Sequence, residues 1–174
     1  SAFPSSSHRE QLVCEIGNFY FERGDFKKAK DYFDIAFSEY PASPAAEEIA
    51  FKRAEAYLKS GDTEKGMKFL EEAKLAYPAS PRIKDAEFMM VAYFKYPSPE
   101  EKIDKLIHYI IENPDSSRIP DAVMLLEDEI DKSKEVEKYF NEITTILRLD
   151  LFRKDTTSYY YIKYFTTRAK GSYL

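Results

Sequence analysis

From residue 26 to residue 40 the apolar positions are Phe26, Ala29, Tyr32, Phe33, Ala36, Phe37 and Tyr40, with Lys, Asp, Ser and Glu between them. Recurrence every three or four residues is the signature of one helix face, not of the alternation that a strand needs. Similar stripes, broken by short Gly, Asp, Ser and Pro clusters, predict helices over 9–23, 26–40, 44–59, 63–77, 81–96, 99–112, 119–131, 134–149 and 155–169. The breaks carry their own chemistry. Gly24 and Gly61 suit the left-handed conformation that ends a helix, and Asp25 and Asp62 are placed to cap the next one. Ser43-Pro44, Ser80-Pro81 and Ser98-Pro99 each read as a capping Ser followed by Pro at the first helical position, and Ser98 with Glu101 fits a capping box. Helices of about four turns are marginal alone, so this chain must gain its stability by stacking them.

The stripes and breaks repeat. A shift of 37 residues superposes Gly24-Asp25 on Gly61-Asp62, Ala36 on Ala73, Tyr40-Pro41-Ala42-Ser43-Pro44 on Tyr77-Pro78-Ala79-Ser80-Pro81, and Phe51 on Phe88. Ten of the 37 pairs from Gly24 to Pro97 are identical, and they fall at turns and small residues, where a repeated helical hairpin needs fixed geometry. A fainter third copy places Asn113-Pro114 and Asp121-Ala122 36 residues after Tyr77-Pro78 and Asp85-Ala86.

Composition narrows the class further. Of 174 residues, 14 are Tyr and 13 are Phe, and 33% are charged; that much aromatic surface excludes a disordered chain. A net charge of −5 gives no global electrostatic case for binding nucleic acid. The longest apolar run, Phe88 to Phe94, is far short of the roughly 18 residues of a membrane-spanning helix. The lone Cys14 excludes an internal disulfide and a cysteine-built metal site.

These residues resemble the tetratricopeptide repeat family. Ile16-Gly17, Tyr20, Gly24-Asp25-Phe26, Ala29, Phe33, Ala36 and Pro41 follow its pattern in order and spacing. A second copy supplies Ala54, Tyr57, Gly61-Asp62, Leu70, Ala73 and Pro78, with Gly66 where Ala is usual; a third keeps Phe94, Leu106, Ile110 and Pro114. The resemblance implies an all-α fold, a right-handed superhelix of antiparallel helix hairpins with three to four repeats and a C-terminal capping helix. The expected layout is a flexible segment at 1–8, repeats at 9–43, 44–80, 81–117 and 118–150, and a capping element at 151–174. The 36–37-residue spacing and the Tyr-Pro-Ala-Ser-Pro linker are similar to those of the bacterial periplasmic group typified by BamD and CpoB. That implies a noncatalytic adaptor in the periplasm or at the outer membrane, binding other proteins, with a lipid anchor outside this chain. The alternative is a targeting or regulatory repeat region of a larger cytoplasmic protein.

In such proteins the first helices of successive repeats line a concave groove. The family's groove positions fall on Asn18, Phe21, Phe51, Glu55, Leu58, Phe88, Lys95 and Tyr96. The functional reading makes these an apolar strip with acidic edges that grips a peptide. The structural reading, of equal weight, makes Phe51 and Phe88 packing residues between hairpins. Of the Lys, Arg and Asn set with which some family members clamp a chain-terminal carboxylate, only Asn18 is present. Tyr159, Tyr160 and Tyr164 mark a C-terminal aromatic cluster that either caps the solenoid or forms a second surface, in a stretch made locally basic by Arg153, Lys154, Lys163 and Arg168.

Catalytic chemistry finds little footing. His8 and His108 have no metal-binding spacing, only five glycines are present, and none forms a phosphate loop. The adjacent acids Glu47-Glu48, Glu71-Glu72 and Glu100-Glu101 diverge by about 100° on a helix and make no carboxylate dyad. No catalytic, cofactor-binding or metal-ligating residues are assigned.

Overall fold

The computed structural model describes residues 6–133 and 138–139. They form seven helices: α1 (Ser6–Glu22), α2 (Phe26–Glu39), α3 (Ala46–Lys59), α4 (Thr63–Ala76), α5 (Ile83–Tyr93), α6 (Pro99–Glu112) and α7 (Ile119–Lys132). No strand occurs among the described residues. The described residues have the expected all-α, tetratricopeptide-like helical repeat fold. The expected 155–169 helix and the cluster of Tyr159, Tyr160 and Tyr164 lie outside the described residues, as does all of the 134–149 helix except the helical pair 138–139.

The chain divides into two compact units, Ser1–Ala86 and Glu87–Leu174, with the division inside α5. In the first unit α1 packs on α2, α2 on α3 and α3 on α4. Its predicted stripe does the packing: Ala29, Phe33 and Ala36 of α2 are at most 1% exposed, and Ala29 and Phe33 join Ala56 of α3. The second unit is built on α6, whose Ile103, Leu106, Ile107 and Ile110 bury a full i, i+3, i+4, i+7 stripe against Ile119, Ala122, Val123, Leu126 and Ile130 of α7.

The turns within hairpins follow the expected chemistry. Gly24 and Gly61 have φ of +75° and +93°, a region costly for any residue with a Cβ. Asp25 accepts a 3.2 Å bond from the Lys28 backbone N–H, but Asp62, in the same place one repeat later, makes no side-chain capping bond.

The linkers between hairpins correct the sequence reading. Ser43-Pro44 and Ser80-Pro81 do not open helices; α3 and α5 begin at Ala46 and Ile83. Each serine hydroxyl instead accepts a bond from the backbone N–H two residues on, Ala45 and Arg82, inside a tight turn. Ser116 does the same for Arg118, and the backbone bonds match too: Tyr40, Tyr77 and Asn113 carbonyls accept from Ser43, Ser80 and Ser116. So the third linker is as regular as the first two although its sequence has drifted. Only Ser98-Pro99 behaves as expected, with Ser98 Oγ accepting from the Glu101 N–H at 3.3 Å and Pro99 at the helix start.

Two boundaries also shift. Helix α1 begins at Ser6, inside the segment expected to be flexible. Helix α5 stops at Tyr93 rather than Tyr96, since Pro97 disfavours helical conformation in the residue before it. Phe94, kept from the repeat pattern, is 49% exposed and meets Tyr96 edge to face at 4.8 Å.

Candidate functional site

Within the first unit, the nominated positions on α1 and α3 are tied to one another. Lys52 Nζ donates to Asn18 Oδ1 at 2.8 Å and pairs with Glu48 at 2.7 Å. The Lys52 hydrogen bond holds the Glu48 carboxyl below its usual range. Two turns further along, Lys59 pairs with Glu55 at 2.9 Å while its ammonium lies 5.0 Å from the Phe21 ring centre and 5.2 Å from that of Phe26. A lysine thus bridges α1 and α3 at both levels, and Asn18, Phe21 and Glu55 are engaged within the protein. Lys52 was absent from the sequence-based set. Its i, i+4 spacing from Glu48 was visible in the sequence, but its reach across to Asn18 was not.

The apolar nominees of this unit are packing residues. Phe51 is 3% exposed, its ring 6.5 Å from that of Tyr77; Leu58 is 2% exposed and fills the notch left by Gly66. The structural reading of Phe51 therefore accounts for it, and neither side chain offers a free face.

Cys14 sits near Glu10, Glu15 and Glu48, and burial together with these charges pushes its thiol above the ordinary value, away from the thiolate that a nucleophile requires. Among the described residues no group of three or more His, Cys, Asp or Glu is placed to hold a metal ion.

The second unit offers open apolar surface. Phe88, Ala92 and Tyr93 of α5 face Met124 and Leu125 of α7 across a cleft of about 450 Å³, rimmed by Asp121 and Asp128. Phe88 is both core and floor: it is 8% exposed and packs against Tyr109 at 5.7 Å, yet it lines the cleft. Met124 is 65% exposed. Lys95 and Tyr96 were placed in the groove by helical register, but they follow the end of α5, so that register does not apply to them. Lys95 is exposed; Tyr96 is partly buried, which raises its hydroxyl pKa. Met124 went unpredicted, although an apolar residue off the α7 stripe of Ile119, Ala122, Val123, Leu126 and Ile130 is itself a sign of exposed apolar surface.

Stacked antiparallel hairpins with glycine turns and regular linkers define an all-α helical repeat. The tetratricopeptide repeat family matches this chain over residues 20–87, from the end of α1 into α5. No curated protein matches the chain.

Proposed function

We propose that this protein is a noncatalytic scaffold that binds other proteins, and that the α5/α7 cleft of the second unit takes an apolar side chain from a partner segment. The observation that carries the reading is Met124, a large flexible apolar side chain left 65% exposed beside a preformed floor of Phe88 and Ala92. Met adapts to varied partners, and a rigid aromatic floor supplies the buried contact on which such interfaces depend. In support, the tetratricopeptide repeat matched over residues 20–87 generally mediates protein–protein interaction. No helix among the described residues is long and apolar enough to cross a membrane.

The test is selection of displayed peptides on the full chain. Peptides that bind the unaltered protein should lose at least about tenfold in affinity on Met124→Glu, which places a charge on an exposed position and leaves the helical spectrum intact. Equal binding to both forms would remove the cleft from consideration.

The placement we propose is the bacterial envelope, in a role akin to that of outer-membrane assembly adaptors. It rests on the 36–37-residue repeat and the Tyr-Pro-Ala-Ser-Pro linker. Recovery of the native protein solely from the cytosolic fraction of its cells would overturn it.

A further inference from the structure

Within the first unit, α3 turns its other face toward α2 and α4, and there it carries Arg53. Arg53 Nε donates to Asp34 Oδ1 at 2.5 Å, and Tyr57 donates its hydroxyl to Asp34 Oδ2 at 2.6 Å. Both carboxylate oxygens are thereby used, and the guanidinium is held in a fixed orientation. It lies 3.6 Å from the ring centre of Phe69 and 4.7 Å from that of Phe37, and the Arg53 side chain is only 16% exposed.

The Asp34 bond uses Nε alone. Asp34 is the one carboxylate paired with Arg53 among the described residues, so no second carboxylate there engages the two terminal nitrogens. Arg53 lines a cleft of about 160 Å³ whose other walls include Phe37, Ala50, Phe69, Ala73 and Ala76. Glu72 also lines it, but pairs with Lys68 at 3.7 Å.

We propose that this cleft is a second binding site, which receives a glutamate side chain from a protein partner. The end of a guanidinium presents parallel N–H donors that match the two oxygens of a carboxylate, and the match is stronger where water is largely excluded. The volume suits one side chain; small-molecule pockets are roughly 300–1,000 Å³. A glutamate brings two methylenes to lie against the alanine and phenyl walls while its carboxylate reaches the nitrogens. The site lies on the face of α3 away from Lys52 and Lys59 and is independent of the α5/α7 cleft.

The test titrates the full-length 15N-labelled chain with N-acetyl-glutamate N-methylamide and follows the Arg53 Nε–Hε resonance. A saturable shift is expected, with the capped glutamine analogue at least about tenfold weaker. Ala76→Phe, at the exposed end of α4, should fill the cleft and abolish the response; Arg53→Lys removes that reporter but keeps the positive charge, and is read from the Ala50 and Ala73 backbone amides, whose ligand-dependent shifts should vanish as well. Glu72→Gln should tighten binding by about threefold by removing a like charge from the rim. Should Arg53→Lys fail to fold, the Ala76 and Glu72 variants carry the test alone. An equal response to capped glutamine, or a response unchanged by Ala76→Phe, overturns the proposal. A stronger response to N-acetyl-leucine than to capped glutamate assigns the cleft to a chain end and overturns the side-chain assignment.

Discussion

Gly66 stands where any side chain would collide with Leu58: a Cβ there would lie 2.6 Å from Leu58 Cγ and Cδ2 and 2.9 Å from the Leu58 backbone nitrogen. Neither residue is exposed, and at this point α4 lies directly against the Leu58 side chain and backbone of α3. Because a backbone atom is involved, the helices would have to separate to admit a methyl group. Gly66→Ala is therefore expected to destabilise the protein by about 1–3 kcal/mol, against a gain of about 1 kcal/mol in helix propensity. Urea unfolding checks the sign. A variant more stable than the parent would show that α3 and α4 separate at little cost.

A second glycine makes the same point with a built-in control. A Cβ on Gly17 would meet the Phe33 ring at 2.8 and 2.9 Å. One repeat later, 37 residues on, the same two positions hold Ala54 and Leu70, both fully buried. The two repeats thus divide one volume differently, Gly with Phe in the first and Ala with Leu in the second. Gly17→Ala should cost about 1–3 kcal/mol, and adding Phe33→Leu should recover most of it, since the pair then matches the second repeat. Strict additivity in a double-mutant cycle would refute the coupling.

These pairs show what the sequence could and could not disclose. Periodicity exposed the helices because burial on one face demands it, and the glycine turns were legible because a φ of +75° or +93° leaves few other residues available. The role of Gly66 was invisible, since a missing side chain matters only against the neighbour it admits. Ser116 was overlooked because the Pro that follows Ser43 and Ser80 is Ser117 there, although the hydrogen bonds are the same. Family register nominated Asn18, Phe21, Glu55 and Phe88 but gave no sign of Lys52, which joins Asn18 to Glu48. Pairing between helices depends on side-chain reach, which no linear spacing encodes.

Tyr57 makes the stability of the first unit depend on alkaline pH. Burial, with the hydrogen bond to Asp34 and that residue's charge, pushes its hydroxyl up to about 12 from an ordinary value of 10.0. The protonated form is favoured by folding, so the stabilisation is complete below about 10 and is lost as pH rises through about 12. Tyr57→Phe should lower stability by about 1 kcal/mol near pH 8 through loss of that hydrogen bond. The gap between variant and parent should then close as both approach the alkaline limit. Urea midpoints measured from pH 8 to 11.5 test this, and a constant gap would contradict it.

Asp25 and Asp62 occupy equivalent turns but should respond differently to removal. Asp25 accepts the Lys28 backbone N–H at 3.2 Å and pairs with its ammonium at 3.1 Å, which together hold its carboxyl below the ordinary value. Asp62 has no capping bond and only a 3.5 Å ion pair with Lys65, of the exposed kind that contributes little. Asp25→Ala is accordingly expected to lower the thermal midpoint and Asp62→Ala to leave it nearly unchanged, although both residues precede a helix after a left-handed glycine. Acid should erase the difference. A carboxyl with a depressed folded pKa stabilises above its unfolded value and loses that contribution as pH falls through the folded one. Midpoints for the two variants should therefore diverge at neutral pH and converge in acid; equal losses at neutral pH would mean that the turn glycine, not the aspartate, sets the helix start in both repeats.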